Sequence, residues 1–355
     1  MTQARTTVGI AGAGIMGRLL ALRLQHAGHQ VTLFDRDPIE CGSAAAYTAA
    51  GMLAPYTELE SAESLIYELG QRSLSLWPDI VAQLDAPEVF HSGGSLAVAH
   101  GQDAADLEHF NQLLARKLPG EPGIAFLDRQ GLAELEPELA PQFGNATFLA
   151  AESWVYTDTL MAALADTLQA NGALWHSQCE VSELQAKLIV SANGRHHFDW
   201  VADCRGLGAA EDLPGLRGVR GEVIEVYAPE VSISRMVRLM HPRYRLYLVP
   251  RANHHYLLGA TQIESDDTSE ISVRSALELL SALYAIHPAF AEARIVATRT
   301  NCRPALLDNQ PLVRLEEGVL QVNGLYRHGY LLAPAMAERA QHLLDATQSS
   351  VKQAI

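Results

Sequence analysis

Lysine is nearly absent from this chain of 355 residues, standing only at positions 117, 187 and 352. None of the three sits in a glycine-rich or strand-end motif, which leaves no phosphate-loop lysine and no evident Schiff-base lysine. Cysteine is equally sparse: Cys41, Cys179, Cys204 and Cys302 are scattered without Cys-x-x-Cys spacing. That pattern offers no zinc site and points to a reducing compartment. No Gly-x-Ser-x-Gly elbow occurs, so serine-nucleophile hydrolysis has no support. No uninterrupted apolar run reaches about eighteen residues, the length of a membrane span. The apolar stretch near the N-terminus is broken by Gly12, Gly14 and Gly17 and does not read as a signal peptide. No membrane contact is expected, and the cytoplasm is the expected location. Positive charge is short as well, with 26 Lys and Arg against 41 Asp and Glu and a formal net charge of −15. Nucleic acid and anionic membranes are therefore disfavoured as partners, and an anionic substrate must be held by local arginines.

What is present is the balance of a globular protein, 48% hydrophobic and 19% charged, long enough for two lobes or for one large α/β domain carrying a second. The most telling pattern comes first. A strand over 8–11 runs into the loop Gly12-Ala13-Gly14-Ile15-Met16-Gly17. Ile15, Met16, Leu19, Leu20, Leu24 and Ala27 then repeat at helical spacing, and Gly28 stops the helix. Val31, Leu33 and Phe34 form the next strand, which delivers Asp35. Gly12 permits a tight turn, Gly14 lets the backbone approach a pyrophosphate, and Gly17 lets the helix pack close to the sheet. Asp35 is placed to accept hydrogen bonds from ribose hydroxyls. An acid at this point disfavours a 2′-phosphate, leaving FAD or NAD.

Further along, residues 104–118 read as a surface helix, and 157–170 as a helix closed by Asn171-Gly172 and followed by a strand near 173–180. Short strands at 223–227, 244–250 and 256–260 are most simply antiparallel. Ser272 caps a helix with Val273, Ala276, Leu277, Leu280 and Tyr284 on one face, stopped by His287-Pro288. A last strand at 319–322 leads through a Gly-rich turn into a helix over 336–346, and such a turn presents backbone N–H groups at a positive dipole end. The acids of 128–138 read as a solvated face. His196-His197 and His254-His255 read as solvated turn residues without metal-pair spacing.

Three segments carry unusual residues. The small apolar run 48–55 lets a flat ligand lie against backbone. In 245–251, strand alternation puts Arg245 and Tyr247 on one face, a pairing suited to a carboxylate. Arg303, next to Pro304, and Arg327, inside a Gly-bounded turn, both stand on stiff backbone. Alone, these support a flavin or nicotinamide enzyme with a carboxylate substrate.

Together, seven motifs resemble one family over almost the whole chain. They are the N-terminal fingerprint, Ala-Ala-Gly-Met-Leu at 49–53, Val-Arg-Gly-Glu at 219–222, Tyr-x-Val-Pro-Arg at 247–251, Gly-Ala-Thr at 259–261, Cys-Arg-Pro at 302–304 and Arg-His-Gly-Tyr-Leu-Leu-Ala-Pro at 327–334. The sequence is similar to FAD-dependent D-amino-acid oxidases, and within them to the glycine oxidase branch that serves thiamine biosynthesis. It departs where Asn301-Cys302 replaces the Gly-Leu common in glycine oxidases and where Cys204-Arg205-Gly206 replaces a small-residue segment.

The resemblance implies an α/β fold with a Rossmann-type FAD-binding domain drawn from 1–85, 148–217 and 297–355, and an antiparallel-sheet substrate domain from 86–147 and 218–296. Ile15, Met16, Asp35, Arg36, Thr48 and Ala49, with Gly51, Met52 and Gly206, match FAD-contacting positions, and Val181 would face the adenine end. Leu325, Tyr326, Arg327 and His328, then Gly329, Tyr330 and Leu331, match the loop that wraps the flavin ring. Arg303 and Tyr247 match the clamp on the substrate carboxylate, with Arg327 a third residue there. Cys302 falls near the position at which sarcosine oxidases tether their flavin; it is read as a small buried thiol, so FAD is expected to be held non-covalently. The implied reaction is oxidation of glycine, sarcosine and small D-amino acids to the imino or oxo acid, with ammonia and, from molecular oxygen, hydrogen peroxide. Its imine would feed thiamine thiazole synthesis. No general base is named, because positioning and electrostatics are the protein's share. The alternative is a dehydrogenase of the same fold that passes electrons to a carrier. Homo-oligomers are common in the family.

Overall fold

Strand Thr7–Ala11 lies inside a six-stranded sheet, with Gln30–Phe34 and Leu174–His176 on one side and Trp200–Asp203, Val319–Asn323 and Leu312–Glu316 on the other. The computed structural model describes residues 6–241 and 246–353. All neighbours in this sheet are parallel except the outer pair of Leu312–Glu316 with Val319–Asn323. Parallel strands are covered on both faces, which is why Val8, Ile10 and Ala11 form a nearly unbroken apolar run. One face is covered by helices Ile15–His26, Thr157–Ala170 and Gly329–Gln353, whose Leu19, Leu20, Leu160, Met161, Leu332 and Met336 share one core. The other face carries a three-stranded antiparallel sheet of Val181–Gln185, Leu188–Ser191 and Gly194–His197, packed through Ile189 onto Phe34 and Val201.

The second layer is a nine-stranded sheet. Its path runs Ile263–Glu264, Arg217–Tyr227, His255–Gly259, Leu246–Pro250, Met236–Leu239, Ser95–Val98, Asn145–Leu149 and Ile124–Asp128, and Arg294–Ala305 pairs along the whole of Arg217–Tyr227. The expected antiparallel arrangement needs one correction. Met236–Leu239 runs parallel to Ser95–Val98. These two strands come from distant stretches of chain, and with no hairpin between them nothing forces the antiparallel direction. The expected strand over 244–250 is seen as Leu246–Pro250, and Arg245 lies outside the described residues. The six-stranded sheet thus draws on 7–34, 174–176, 200–203 and 312–323, and the larger one on 95–149 and 217–305. We propose the discontinuous division of 1–85, 148–217 and 297–355 against 86–147 and 218–296, with Arg294–Ala305 crossing between the two.

Three surface readings change. Helix Val273–Ile286 is capped by Ser272 Oγ accepting from the Ser275 N–H, as its sequence suggests, but it buries the other stripe. Leu279, Leu283 and Ile286 pack onto Ile224, Leu248 and Leu258, while Val273 is 79% and Leu277 62% exposed. Both stripes have helical spacing, and only the angle at which the helix meets the sheet selects one. In 128–138, Asp128 caps helix Arg129–Leu135 and Glu136 is buried, accepting from Ser234 and Arg235. Neither histidine pair is simply a solvated turn. His196 belongs to strand Gly194–His197 and packs against Phe34 and His176, and His255 belongs to His255–Gly259 and meets Glu225 at 3.0 Å.

One buried acid joins the layers. Glu152 accepts from the Thr57 N–H at 2.9 Å and from Ser95 Oγ, with no cation in hydrogen-bonding contact among the described residues. Burial pushes its carboxyl up to about 7 from an ordinary 4.5. Between those values the folded protein binds a proton that the unfolded chain does not, so stability falls as pH rises through the window. Glu152→Gln keeps the neutral shape, and is expected to raise the melting temperature at pH 8 by roughly 5 °C while changing it little at pH 4.5. Thermal unfolding of both proteins across pH 4.5–8 checks this; equal slopes would show that Glu152 is not the group responsible.

Candidate active site

A cavity of about 590 Å³ runs from the glycine loop to the nine-stranded sheet. At its nucleotide end, Gly12 has φ +92°, and a Cβ there would lie 2.5 Å from the Cys204 carbonyl oxygen. A Cβ on Gly17 would overlap the Gly12 carbonyl, so Gly17 sets the approach of helix to loop and does not itself line the cavity. Gly14 differs from both. The nearest protein atom to a Cβ there is 3.8 Å away, and the residue borders the cavity. Helix Ile15–His26 has no side-chain cap, which leaves its first-turn N–H groups for an anion. Asp35 accepts from the backbone N–H groups of Ala13 and Asp37, which fixes its carboxylate at the cavity beside Ile15, Met16 and Arg36.

The small-residue segment forms the next wall, with Thr48, Ala49, Gly51 and Met52 in the lining. It is stitched down by residues distant in sequence. Arg251 Nη2 donates to the Ala50 carbonyl at 2.8 Å, Asn301 Nδ2 to the Ser43 carbonyl at 3.0 Å, and the Tyr330 hydroxyl to the Ala46 carbonyl at 3.0 Å. Gly51 has φ +72°, a conformation the strand-like neighbours of other residue types would not adopt.

Across the cavity lie Gly206, Leu325 and the turn that follows. Tyr326 and Thr300 both border it, and the Tyr326 hydroxyl and Thr300 Oγ1 are buried without a hydrogen-bond partner among the described residues. The last helix begins at Gly329, earlier than the expected 336. Pro334 stands inside it and forgoes one hydrogen bond, to the Tyr330 carbonyl. Gly329, Tyr330 and Leu331 are therefore the first helical turn, whose free N–H groups border the cavity with His328. Burial holds the His328 imidazole down to about 4, against the pull of Glu58, so it is neutral at pH 7.

At the sheet end, Tyr247, Arg303 and Arg327 meet, although 56 residues separate the first two and 24 the last two. Arg303 lies flat over the bare backbone of Gly221, and its Nη1 donates to the carbonyls of Arg220 at 3.3 Å and Thr261 at 3.1 Å. Its Nε and Nη2 hydrogens have no partner among the described residues. Burial raises the Tyr247 phenol above its usual value, with Arg303 pulling the other way, so the hydroxyl stays protonated and able to donate. Arg327 is engaged by Glu58, its Nη2 lying 2.6 Å from Oε2.

Of the expected site residues, Val181 is not in the lining. Its strand turns away to the three-stranded sheet, after the Cys179 N–H has bonded to the Asp35 carbonyl. Cys302 borders the cavity but is buried, and its Sγ is directed at the carbonyls of Ser265 and Asp267. Sequence reasoning passed over Glu58, and it named Arg251 and Asn301 only as parts of motifs, without a role at the site. No local signal marks what they bond, because each partner lies 200 or more residues away.

The donor set fits an FAD. There is an uncapped helix end at a glycine with open space, an anchored acid for a ribose, a second helix N-terminus, and two orphaned hydroxyls in a continuous cavity. A family model described as FAD dependent oxidoreductase matches residues 7–343. A Rhizobium etli protein whose name assigns it to thiamine biosynthesis as the oxidoreductase ThiO is 42% identical over 336 residues, covering 94% of this chain and 95% of its own. The glycine oxidase of Geobacillus kaustophilus is 26% identical over 371 residues, 98% of this chain and 94% of that one. Its crystal structure superposes with a TM-score of 0.84, covering 97% and 95% of the two chains.

Proposed function

We propose, on the premise that this chain belongs to the FAD-dependent oxidoreductase family and binds FAD, that it oxidises glycine and other small amino acids and that its product serves thiamine biosynthesis. The observation that carries the reading is the uncommitted Nε and Nη2 edge of Arg303 beside the protonated Tyr247 hydroxyl, at the sheet end of the cavity. A guanidinium edge takes a carboxylate by two parallel hydrogen bonds and so fixes both its position and its plane. The names of the relatives support the same choice.

Bound FAD supplies the two-electron acceptor for the oxidation. Ile15, Met16, Asp35 and Arg36 would hold its nucleotide end, and Thr48, Ala49, Gly51, Met52, Gly206 and the turn of 325–331 its ring end. Arg303 and Tyr247 anchor the substrate carboxylate and orient Cα toward the ring; Arg327 stands beside them. His328, buried and neutral, adds no charge at this end. No side chain at this end is required to remove a proton from carbon, and positioning does the protein's work. The buried Cys302 thiol, engaged by the Ser265 and Asp267 carbonyls, supports FAD held without a covalent bond.

The test is a screen of amino acids on the purified yellow protein, following flavin bleaching without oxygen and peroxide release with it. Glycine, sarcosine and small D-amino acids are expected to bleach the flavin and to release one peroxide per turnover. Bleaching without peroxide would make the protein a dehydrogenase, and no bleaching by any amino acid would overturn the substrate class.

A further inference from the structure

Arg327 is the second guanidinium at the substrate end, and the chain itself satisfies it. Its Nε and Nη2 converge on one oxygen, Oε2 of Glu58, at 3.1 and 2.6 Å. Nη2 also donates to Ser61 Oγ at 2.7 Å, and Nη1 to Gln262 Oε1 at 3.2 Å. His328 Nδ1 lies 3.7 Å from the same Glu58 oxygen. All of these groups line the cavity with Tyr247 and Arg303, and both Glu58 and Arg327 act electrostatically on the Tyr247 phenol.

Glu58 is not placed there by chance of rotamer. It ends the short helix Pro55–Glu58, whose Thr57 N–H is bonded to the buried Glu152 and whose Thr57 carbonyl accepts from Arg238 Nη1 at 2.7 Å. Burial works against its charge, but the guanidinium of Arg327 on its Oε2 outweighs that and holds its carboxyl below the usual range. An ionised carboxylate thus sits on Arg327 where a second ligand carboxylate would otherwise sit.

We propose that Glu58 determines specificity. By satisfying Arg327 from within the chain it excludes amino acids that carry a second carboxylate, and leaves Arg303 and Tyr247 to hold substrates with one. A dicarboxylic amine would bring its second charge against Glu58 and find Arg327 occupied. This rests on the reading that Arg303 and Tyr247 bind the substrate carboxylate. Like charges a few ångströms apart in a partly dehydrated cavity repel strongly, and a lost charge-assisted hydrogen bond adds to the discrimination.

Glu58→Ala and Glu58→Gln test it, with glycine, D-aspartate and iminodiacetate as substrates. The ratio of kcat/KM for either dicarboxylate to that for glycine is expected to rise by about tenfold or more in Glu58→Ala, and by less in Glu58→Gln, whose amide still occupies Arg327. A ratio unchanged in both variants overturns the proposal, including the case in which Glu58 holds the substrate amine and all three substrates weaken together. Should neither variant retain flavin, inhibition of the native enzyme carries the test. Acetate is expected to compete with glycine at least about tenfold better than malonate, and equal inhibition overturns the proposal. If the native protein oxidises no amino acid, the failure belongs to the underlying reading and not to Glu58.

Discussion

Arg303→Ala is expected to lower kcat/KM for glycine by about 10²–10³, the equivalent of about 3–4 kcal/mol for a lost bidentate, charge-assisted contact. Most of the loss should appear in KM, with part in kcat, because a carboxylate without its fork no longer fixes Cα. Arg303→Lys restores charge without the fork, and is expected to recover only part of the loss. Steady-state kinetics at matched flavin content check both. A KM for glycine unchanged in Arg303→Ala would remove this residue from the substrate site. The side chain also bonds to the Arg220 and Thr261 carbonyls through Nη1, so the flavin spectrum and melting temperature of each variant separate lost binding from lost packing.

Gly17→Ala is expected to strip the protein of FAD. Its new methyl would overlap the Gly12 carbonyl, and helix Ile15–His26 can relieve the overlap only by moving off the loop that it presents to the pyrophosphate. A displacement that costs about 2 kcal/mol weakens cofactor binding by about thirtyfold, enough to lose it on gel filtration. Gly28→Ala is the contrast. Gly28 has φ +88° but open space around it, so alanine there costs only about 1–2 kcal/mol of backbone strain and should leave the protein yellow. The ratio of flavin to protein absorbance after gel filtration reads both variants, and a Gly17→Ala protein with native flavin content would contradict the close packing.

The nucleotide half was legible in the sequence because its signals are local. Gly12, Gly14 and Gly17, the helical spacing of Leu19, Leu20 and Leu24, and Asp35 after an apolar strand all lie within thirty residues. Covalent geometry and helix periodicity act at that range. The elements of the substrate half were legible as strands and a capped helix, but their arrangement was not. The spacing of Val273, Leu277 and Tyr284 is as helical as that of Leu279, Leu283 and Ile286, and only docking on the sheet decided which stripe is buried. The last helix, expected from 336, starts at Gly329 and takes Pro334 into its interior.

The sequence by itself determined that a dinucleotide with an unphosphorylated ribose is bound at the N-terminal loop, and that arginines must hold an anionic substrate in a chain of net charge −15. Its motifs also carried the family, through residues whose types matter one by one. The tertiary structure alone decided which arginine is free. Arg303 and Arg327 look alike in the chain, each held on stiff backbone. Arg303 spends one nitrogen on carbonyls and keeps an edge open, whereas Arg327 meets Glu58, 269 residues away. Whether a charge is available depends on what the fold brings against it, and ion pairing across that distance leaves no periodic trace in the sequence.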